Sequence, residues 1–490
     1  MGKKKCFRFW IMLLFLAVSV SCYKNNPIKT MNVHVRESYI ISDEPVAEFY
    51  GSVKGDFWGY SVAILYAPVL EDLWVFGKES TVESVGVYWG GEFSEDGSFT
   101  VKSNKLEVDT KYYYCWYINV AGTKYYGEVQ EFTTCHPYKH TVELDMDSAT
   151  DLSDPEPANC YVVTEPGLYK FRTLEGNTEK PLDGVASCLV LWESFGTDKT
   201  PKVFDIIGPT CYEDGYIAFT VPEAFNKGNA SIAATDEYGE ILWSWHIWLT
   251  DEPKGQVYFN DAGVMMDRNL GAAASTADGL FYQWGRKDPF MGPGYSFRSA
   301  ASTVSWPSVI DASMTTGRIQ YATSHPTTFI REGFSAYGGY RYLIDGAYWS
   351  ESDLPKSVYD PCPAGWRVPD GGEEGVWAKA AGASYTSYEG IVEGGMEFSG
   401  TLGADPDIWY PYSGYSYLEL YYSIPSLPHF DDVGQMGYYW TASKRNTVSA
   451  FNLSLYVRSD QGHSEVYADF VKSSFFVLHA CPVRCIRDEI

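Results

Sequence analysis

Positive charge is scarce in this sequence of 490 residues. Lys and Arg total 37 against 63 Asp and Glu, so the formal net charge is −26. Binding to nucleic acid and electrostatic attachment to anionic lipid both depend on clustered basic side chains. The charge balance therefore excludes both as general functions, and no nucleic-acid partner is predicted.

Long hydrophobic runs are also missing, except near the start. Residues 9–20 form an apolar run that follows a basic stretch with Lys3, Lys5 and Arg8. At about a dozen residues the run is too short to span a bilayer comfortably, and its layout is that of a secretory signal peptide. No later stretch approaches the roughly 20 apolar residues of a membrane helix.

The residues that follow this run suggest a lipid anchor. Ser19, Val20 and Ser21 precede Cys22, and this order resembles the lipobox of bacterial lipoproteins, although Ser19 stands where Leu is usual. The resemblance implies cleavage before Cys22 and lipid attachment to its thiol. An ordinary signal peptide with a chance cysteine is the alternative. We expect a signal peptide over residues 1–21, a tether over 22–37, and anchoring in the outer membrane at the cell surface.

Cysteine is sparse. Of ten cysteines, eight remain once Cys6 and Cys22 are set aside. An even number in an exported chain permits disulfides, but so few cannot be the main scaffold of a chain this long. Zinc would need paired short spacings with nearby His or Cys, and only Cys481 and Cys485 are close. No metal site and no cofactor are predicted.

Aromatic residues are abundant, at 17% of the chain. With 45% hydrophobic residues, the chain has enough apolar surface to offset the entropy lost on ordering, which excludes disorder. Tyr, Trp and Thr favour strands, and Gly and Pro are plentiful. We predict a mainly β protein with two β-sandwich domains followed by an α+β domain.

The first sandwich is predicted over residues 38–135. Short alternating apolar runs at 61–65, 85–88, 112–120 and 125–133 are separated by turn-forming residues, as in a β-sandwich. The stretch over residues 106–134 resembles the last two strands of fibronectin type III-like modules in bacterial surface proteins. In such modules a tyrosine hydroxyl often ties the corner before the penultimate strand, and Tyr112 or Tyr113 is placed to do so.

A second sandwich is predicted over residues 136–250, with strands at 160–163, 167–172, 186–192, 216–221 and 230–235. The segment ends in a run that carries Trp243, Trp245 and Trp248. These rings would form a sandwich core or a domain junction, because an apolar strand of this length usually packs inward. A sugar-stacking platform is the alternative.

Five motifs occur in order in residues 251–490. They are VMMDRNLGA at 264–272, GLFYQWGRKDPF at 279–290, YDPCPAGWRVP at 359–369, GYYWTAS at 437–443 and PVRCIRD at 482–488. Together they resemble the Fibrobacter succinogenes major paralogous domain, a family of exported proteins and lipoproteins of Gram-negative anaerobes. The resemblance implies a C-type lectin-like fold in which the last strand closes beside the first. It also implies a disulfide between Cys362 and Cys485.

Two helices are expected in this segment. One covers residues 278–285, and the other follows Asp370, which would cap it, and stops at Gly382. Arg367 is interpreted as a structural ion pair or a donor to loop carbonyls, with substrate binding as the alternative. Arg268 is expected to form a buried pair with Asp267.

Catalytic signatures are lacking. The eight histidines are scattered, and no HExxH or GxSxG motif occurs. The related formylglycine-generating fold would hold copper with two cysteines, but Cys481 and Cys485 lie about 13 Å apart if on one extended strand. That site is also lost if Cys485 forms the implied disulfide. The chain is predicted not to be an enzyme, with an enzyme of that fold as the weakest alternative.

A binding function is therefore favoured. The sequence lacks the EPN motif of calcium-dependent C-type lectins, but a tyrosine-rich run extends from Trp409 to Tyr422. Part of the run is expected to be core strand; exposed rings would stack on sugar faces. The candidates for ligand binding are Trp409, Tyr412, Tyr415 and Tyr417. Asp431 and Asp432 are weaker candidates for calcium ligands.

The predicted function is that of a cell-envelope lipoprotein. It would present its C-terminal domain for adhesion, with a glycan or a surface protein as the ligand. A structural or tip component of a surface fibre is the alternative.

Overall fold

The computed structural model describes residues 28–36, 45–55, 62–74, 86–91, 97–120, 123–137, 142–293, 301–302, 308–313, 315–331, 349–389, 393–417, 429–460 and 463–488. Cys22, the signal peptide, Tyr421 and Tyr422 lie outside these ranges. The chain forms two compact units, residues 1–140 and 141–490. It is mainly β, as predicted.

The first unit is a sandwich of two antiparallel sheets. One has the order β1-β2-β5, and the other has β4-β3-β6 with β7 and β8 both paired to β6. The described strands are β1 (Ile28–Arg36), β2 (Glu48–Gly55), β3 (Val62–Ala67), β4 (Gly86–Gly91), β5 (Ser98–Lys102), β6 (Lys111–Val120), β7 (Thr123–Tyr126) and β8 (Gln130–Thr133). Phe49 on β2 and Tyr114 on β6 meet between the sheets, with ring centroids 5.2 Å apart.

The second sheet of this unit is buried on both faces. Ile64 and Tyr66 face the core between the sheets, while Ala63 and Leu65 face a smaller cluster that the 3-10 helix Leu70–Trp74 helps to cover. Strand β3 is therefore apolar throughout, because successive side chains point to opposite faces.

Tyr112 ties the corner of the sandwich. Its hydroxyl accepts a hydrogen bond of 3.1 Å from the backbone N–H of Glu107, which resolves the choice between Tyr112 and Tyr113.

The second unit begins with a further pair of sheets, of order β10-β16-β15-β12-β20 and β13-β14-β11-β9. Three of the predicted strands coincide with β10, β11 and β14. The strands are β9 (Thr150–Asp151), β10 (Cys160–Val163), β11 (Gly167–Arg172), β12 (Ser187–Ser194), β13 (Thr210–Glu213), β14 (Tyr216–Val221), β15 (Gly228–Thr235) and β16 (Ile241–Leu249).

The rest of the described part of this unit contains several smaller sheets and two short helices. Its strands are β17 (Gly255–Tyr258), β18 (Gly263–Met266), β19 (Phe281–Gln283), β20 (Ala301–Ser302), β21 (Ser308–Asp311), β22 (Thr328–Arg331), β23 (Trp366–Arg367), β24 (Tyr385–Glu389), β25 (Gly395–Glu397), β26 (Trp409–Pro411), β27 (Tyr415–Tyr417), β28 (His429–Asp431), β29 (Gly437–Lys444), β30 (Ser449–Asp460), β31 (His463–Asp469), β32 (Ser474–Phe476), β33 (Ala480–Pro482) and β34 (Ile486–Arg487). The helices are α1 (Ile319–Ser324) and α2 (Val376–Ala381).

The boundary predicted at residue 250 does not separate two compact units. Strand β16 is buried on both faces: Trp245 packs on Phe171 of the neighbouring sheet, with centroids 5.0 Å apart. Trp248 lies in a core that also contains Phe281 and Cys362. Since the sheet is covered on both sides, residues from both predicted domains share one core. The tryptophans are thus core residues, as the favoured interpretation predicted.

The last strand of residues 251–490 joins the same sheet as the first, in the order β17-β18-β34-β23, and pairs with the second strand. Met265 on β18 lies opposite Ile486 on β34, in antiparallel pairing, and Arg367 on β23 pairs with the other side of Ile486. The Cys362–Cys485 disulfide is present, with Cα atoms 6.1 Å apart, and this prediction is confirmed.

The helix predicted at residues 278–285 is wrong. Gly279 has a φ of 77°, a left-handed conformation that interrupts a helix, and strand β19 follows it.

The second predicted helix is present as α2. Gly382 ends it with a φ of 61°, as predicted. The predicted cap is wrong: Gly375 is the N-cap, and the Asp370 carboxylate instead accepts the backbone N–H of Ser352 at 3.0 Å.

Candidate functional site

A hairpin of β27 and β28 places polar aromatic side chains on one face of a small sheet. Tyr415 lies opposite Asp431, and Tyr417 lies opposite His429. Because side chains alternate between faces, these four residues share the outer face, while Ser416 between them is fully buried. The turn before β33 adds His479 beside them.

We call this surface the aromatic face. Its members are Tyr415, Tyr417, His429, Phe475, Phe476 and His479. Around Tyr415 the rings are in direct contact: the centroid of His479 lies 5.2 Å away in a stacked arrangement, and that of Tyr417 lies 5.3 Å away. Contacts of this kind hold ring planes in fixed orientations.

Phenylalanines flank this stack. Phe475 meets Tyr415 edge-on, with centroids 4.6 Å apart, and Phe476 meets His479 edge-on at 5.6 Å. Phe476 is 41% exposed, whereas Tyr415 and Tyr417 are half-buried. The face therefore presents apolar ring surface to solvent on a support of packed side chains.

Two carboxylates border the rings. The Tyr415 hydroxyl donates to Asp431 Oδ2 at 3.4 Å, and the Tyr438 hydroxyl donates to Asp432 Oδ2 at 3.0 Å. Burial, reinforced by the adjacent aspartates, raises the pKa of both tyrosines. Burial lowers the pKa of His479 to about 4. Near neutral pH the rings of Tyr415, Tyr438 and His479 are thus uncharged, and the adjacent carboxylates accept hydrogen bonds from the two tyrosines.

The structure separates the four predicted ligand-binding residues into two groups. Tyr415 and Tyr417 lie together on the aromatic face. Tyr412 is only 2% exposed, so its ring is core and not available to stack on a ligand. Trp409 is half-buried on β26, which pairs with β25 in a different sheet.

The histidines and phenylalanines of the aromatic face were not predicted from the sequence. His479, Phe475 and Phe476 follow Tyr415 by about sixty residues, and only strand pairing brings them close: Ser416 lies opposite Ala480. The one local signal was the Tyr-Ser-Tyr alternation of β27.

Within the described ranges, no group of three or more His, Cys, Asp or Glu side chains is placed to hold a metal ion. The copper pair considered above does not form, because Cys485 is bonded to Cys362 and is not a free thiolate.

Arg367 stabilises a loop. Its Nη2 donates to the carbonyl oxygens of Ser350, Glu351 and Leu354 at 2.7–3.0 Å, and its Nη1 lies 3.4 Å from Asp488 Oδ1. The interpretation as a carbonyl donor is confirmed.

Arg268 also forms the expected pair. It lies 2.9 Å from Asp267 and 3.0 Å from Asp251.

A second constellation has the geometry of a thiol protease triad. Cys160 Sγ lies 3.3 Å from His246 Nδ1, and His246 Nε2 lies 2.9 Å from Asn229 Oδ1. Register explains the contact, since Cys160 pairs directly with His246 across β10 and β16. A nucleophile, a base and an orienting amide are thus in line.

This triad does not have the environment of a working nucleophile. Cys160 is 1% exposed and His246 is 2% exposed. Burial raises the pKa of the Cys160 thiol and lowers that of His246 to about 3, so both remain neutral and no thiolate forms. We interpret the three residues as a hydrogen-bonded part of the core.

The aromatic face is therefore the best candidate site in the described part of the chain. Within that part, no helix is long and apolar enough to cross a membrane. The molecule is thus a mainly β protein whose packed sheets carry a partly exposed aromatic surface.

Comparison with known proteins does not assign this chain to a family. No protein-family model matches the sequence, and no curated protein matches it. Among solved structures, the titin domains Z1Z2 in complex with telethonin are 12% identical, with 46% of this chain and 96% of that chain covered and a TM-score of 0.17. InvD of Yersinia pseudotuberculosis is 10% identical, with 46% and 58% covered and a TM-score of 0.17. A marsupial T cell receptor is 10% identical, with 49% and 82% covered and a TM-score of 0.19. TM-scores this low carry no argument about function.

Proposed function

We propose that this chain is a lipoprotein of the bacterial outer membrane that binds a glycan through the aromatic face and so mediates adhesion at the cell surface. The observation that carries the proposal is the stack of Tyr415, Tyr417 and His479 beside Asp431. Pyranose rings have apolar C–H faces and polar rims, so they match flat rings bordered by hydrogen-bond acceptors.

The composition of the face distinguishes it from an ordinary patch of exposed core. Four of its six rings carry a hydroxyl or an imidazole nitrogen, and Asp431 is exposed beside them. A purely hydrophobic contact surface would not need these groups, whereas sugar hydroxyls require donors and acceptors at the edge of the stacking surface.

The family assignment is part of the proposal. Five ordered motifs support membership of the Fibrobacter succinogenes major paralogous domain family with its C-type lectin-like fold. The pairing of β18 with β34 and the Cys362–Cys485 disulfide are consistent with it. The lipid on Cys22 rests on the lipobox-like sequence alone.

A glycan array probed with the full mature chain tests the binding function. We expect binding of at least one glycan class, and we expect the Tyr415→Ala/Tyr417→Ala double variant to lose it. Tyr385→Ala is the matched control, because Tyr385 is a tyrosine that is 61% exposed on β24, outside the face. Equal loss in both variants, or binding of a protein and of no glycan, would overturn the proposal.

Anchoring is tested separately by metabolic labelling with a fatty acid. The wild-type chain should incorporate the label in the outer-membrane fraction, and Cys22→Ala should not. If the wild-type chain is secreted without the fatty-acid label, residues 1–21 are an ordinary signal peptide.

A further inference from the structure

The charged groups around the aromatic face limit the kind of glycan that it can bind. Asp431 is exposed and lies directly opposite Tyr415 across β27 and β28. Asp432 follows it and is half-buried. Both carboxylates have tyrosine hydroxyls as hydrogen-bond partners, and among the described residues no Lys or Arg pairs with either of them. Their negative charge is therefore not neutralised by the protein.

The sequence around this hairpin contains no basic side chain of the Lys or Arg type. Residues 380–443 include eight Asp or Glu and no Lys or Arg, and β27 and β28 both lie within that stretch. Exposed charges act on one another over about a Debye length, which is about 10 Å at 0.1 M ionic strength. A ligand that approaches the hairpin therefore meets carboxylates from this part of the chain and no ammonium or guanidinium group.

One basic side chain contacts the strand that carries the phenylalanines of the face. Arg445 Nη1 donates to Ser474 Oγ at 2.6 Å and to the carbonyl oxygen of Lys472 at 3.0 Å. Strand β32 pairs with β30, whereas Asp431 lies on β28 in a different sheet. Arg445 therefore holds the start of β32 and forms no ion pair with Asp431.

Stacking on Tyr415 brings a sugar close to a carboxylate. The Tyr415 hydroxyl lies 3.4 Å from Asp431 Oδ2, so a pyranose on this ring has its polar rim beside that oxygen. Hydroxyl groups of an uncharged sugar donate hydrogen bonds to it. A carboxylate, sulfate or phosphate group on the sugar has no proton to donate and is repelled. Two like charges about 4–6 Å apart near a protein surface weaken binding on the order of tenfold.

We propose that the aromatic face binds uncharged glycans and rejects glycans that carry carboxylate, sulfate or phosphate groups. The inference rests on the proposed glycan-binding function and names the class of ligand for that same site. Acidic sugars are excluded by repulsion from Asp431 and Asp432, while the hydroxyl groups of a neutral sugar donate to the same oxygens. Asp431 is thus a residue that determines specificity.

Pairs of glycans that differ only in charge test the proposal on the full mature chain. The pairs are dextran and dextran sulfate, methyl-esterified and free polygalacturonate, and lactosamine chains without and with terminal sialic acid. Binding is compared at pH 8, where exposed imidazoles are uncharged. We expect an uncharged member to bind at least about tenfold more tightly than its acidic partner at low salt. This ratio should fall as the salt concentration rises from about 0.05 M to about 1 M, because counterions screen exposed charges.

Replacement of Asp431 makes the test specific. Asp431→Asn removes the charge but keeps an oxygen that accepts from the Tyr415 hydroxyl, so the ratio should narrow several-fold. Asp431→Lys should reverse the preference. Glu237→Gln is the matched control, because Glu237 is exposed in the turn between β15 and β16. It removes the same charge outside the face and should leave the ratio unchanged.

The possible results separate this inference from the function on which it rests. Acidic members that bind as tightly as their uncharged partners would overturn the selection by charge and leave glycan binding in place. The same ratio in the wild type and in Asp431→Asn would also overturn it. If no member of any pair binds and the glycan array is empty as well, the glycan-binding function is wrong, and the inference falls with it.

Discussion

The imidazole of His479 is stacked on the ring of Tyr415, with centroids 5.2 Å apart and planes inclined by 25°. The contact joins β27 to the turn before β33. It gives the aromatic face a fixed shape, because Tyr415 is held between His479 on one side and Phe475 on another.

Replacement of His479 tests whether glycan binding depends on its stacked ring or on its ring nitrogens. We expect His479→Ala to lower glycan affinity about three- to tenfold, since a stacked pair contributes roughly 0.5–1.5 kcal/mol. His479→Phe should lose less affinity than His479→Ala, because phenylalanine keeps a ring that can pack on Tyr415. Isothermal titration with the glycan found on the array measures both. Equal losses in the two variants would contradict a role for the stack.

Acid should destabilise the second unit through two histidines, the buried His246 and the half-buried His479. The folded-state pKa of His479 is lowered to about 4 and that of His246 to about 3, both below the unfolded value of about 6.5. The unfolded chain therefore binds more protons below pH 6.5, and stability falls as the pH falls from there towards the folded pKa values.

Denaturant titrations from pH 7 to pH 4 measure this loss. His479→Phe removes one of the two groups, so the slope of unfolding free energy against pH should decrease by up to about 1.4 kcal/mol per pH unit. An unchanged slope would show that His479 does not resist protonation in the folded protein.

Cys160 should be inert while the chain is folded. Its thiol is buried and its pKa is raised by burial, so neither access nor thiolate is available to an alkylating reagent. Iodoacetamide followed by mass spectrometry should leave Cys160 unmodified in the native protein and modify it fully in denaturant. The half-buried Cys135 is the internal control and should react earlier. Rapid native labelling of Cys160, abolished by His246→Ala, would revive the catalytic interpretation of the triad.

Loss of the disulfide should destabilise the second unit. The bond spans 123 residues of sequence, and the chain-entropy model gives about 3–5 kcal/mol for a loop of this length. The Cys362→Ala/Cys485→Ala double variant should therefore unfold at lower denaturant concentration than the wild type. Cys188→Ser, at a free half-buried cysteine, is the control and should change little. Equal stability of the double variant and the wild type would contradict this expectation.

Strand positions were predictable where residues alternate locally. The bounds of β10, β11 and β14 were predicted correctly, because alternating residues and turn residues mark each strand within its own segment. The core shared across residue 250 was not predictable. Trp245 and Trp248 look alike in the sequence, and only the structure shows that they pack on opposite faces of β16. The false helix near Gly279 shows the same limit, because an apolar run of this length does not distinguish strand from helix.

The candidate site was only half predictable. Tyr415 and Tyr417 follow from their own spacing, but Tyr412 in the same run is core, and His479 joins the face through a pairing between distant segments. The Cys160 triad was even less predictable from the sequence. Its members come from three strands, and no spacing in the sequence relates them.

The Cys362–Cys485 bond has a consequence for cleavage by proteases. A single cut by a protease at any peptide bond between these cysteines divides the chain but releases nothing, since the two fragments stay covalently joined. The aromatic face lies wholly within that interval. A nicked molecule would thus remain one piece on a non-reducing gel and still display its tyrosines at the surface.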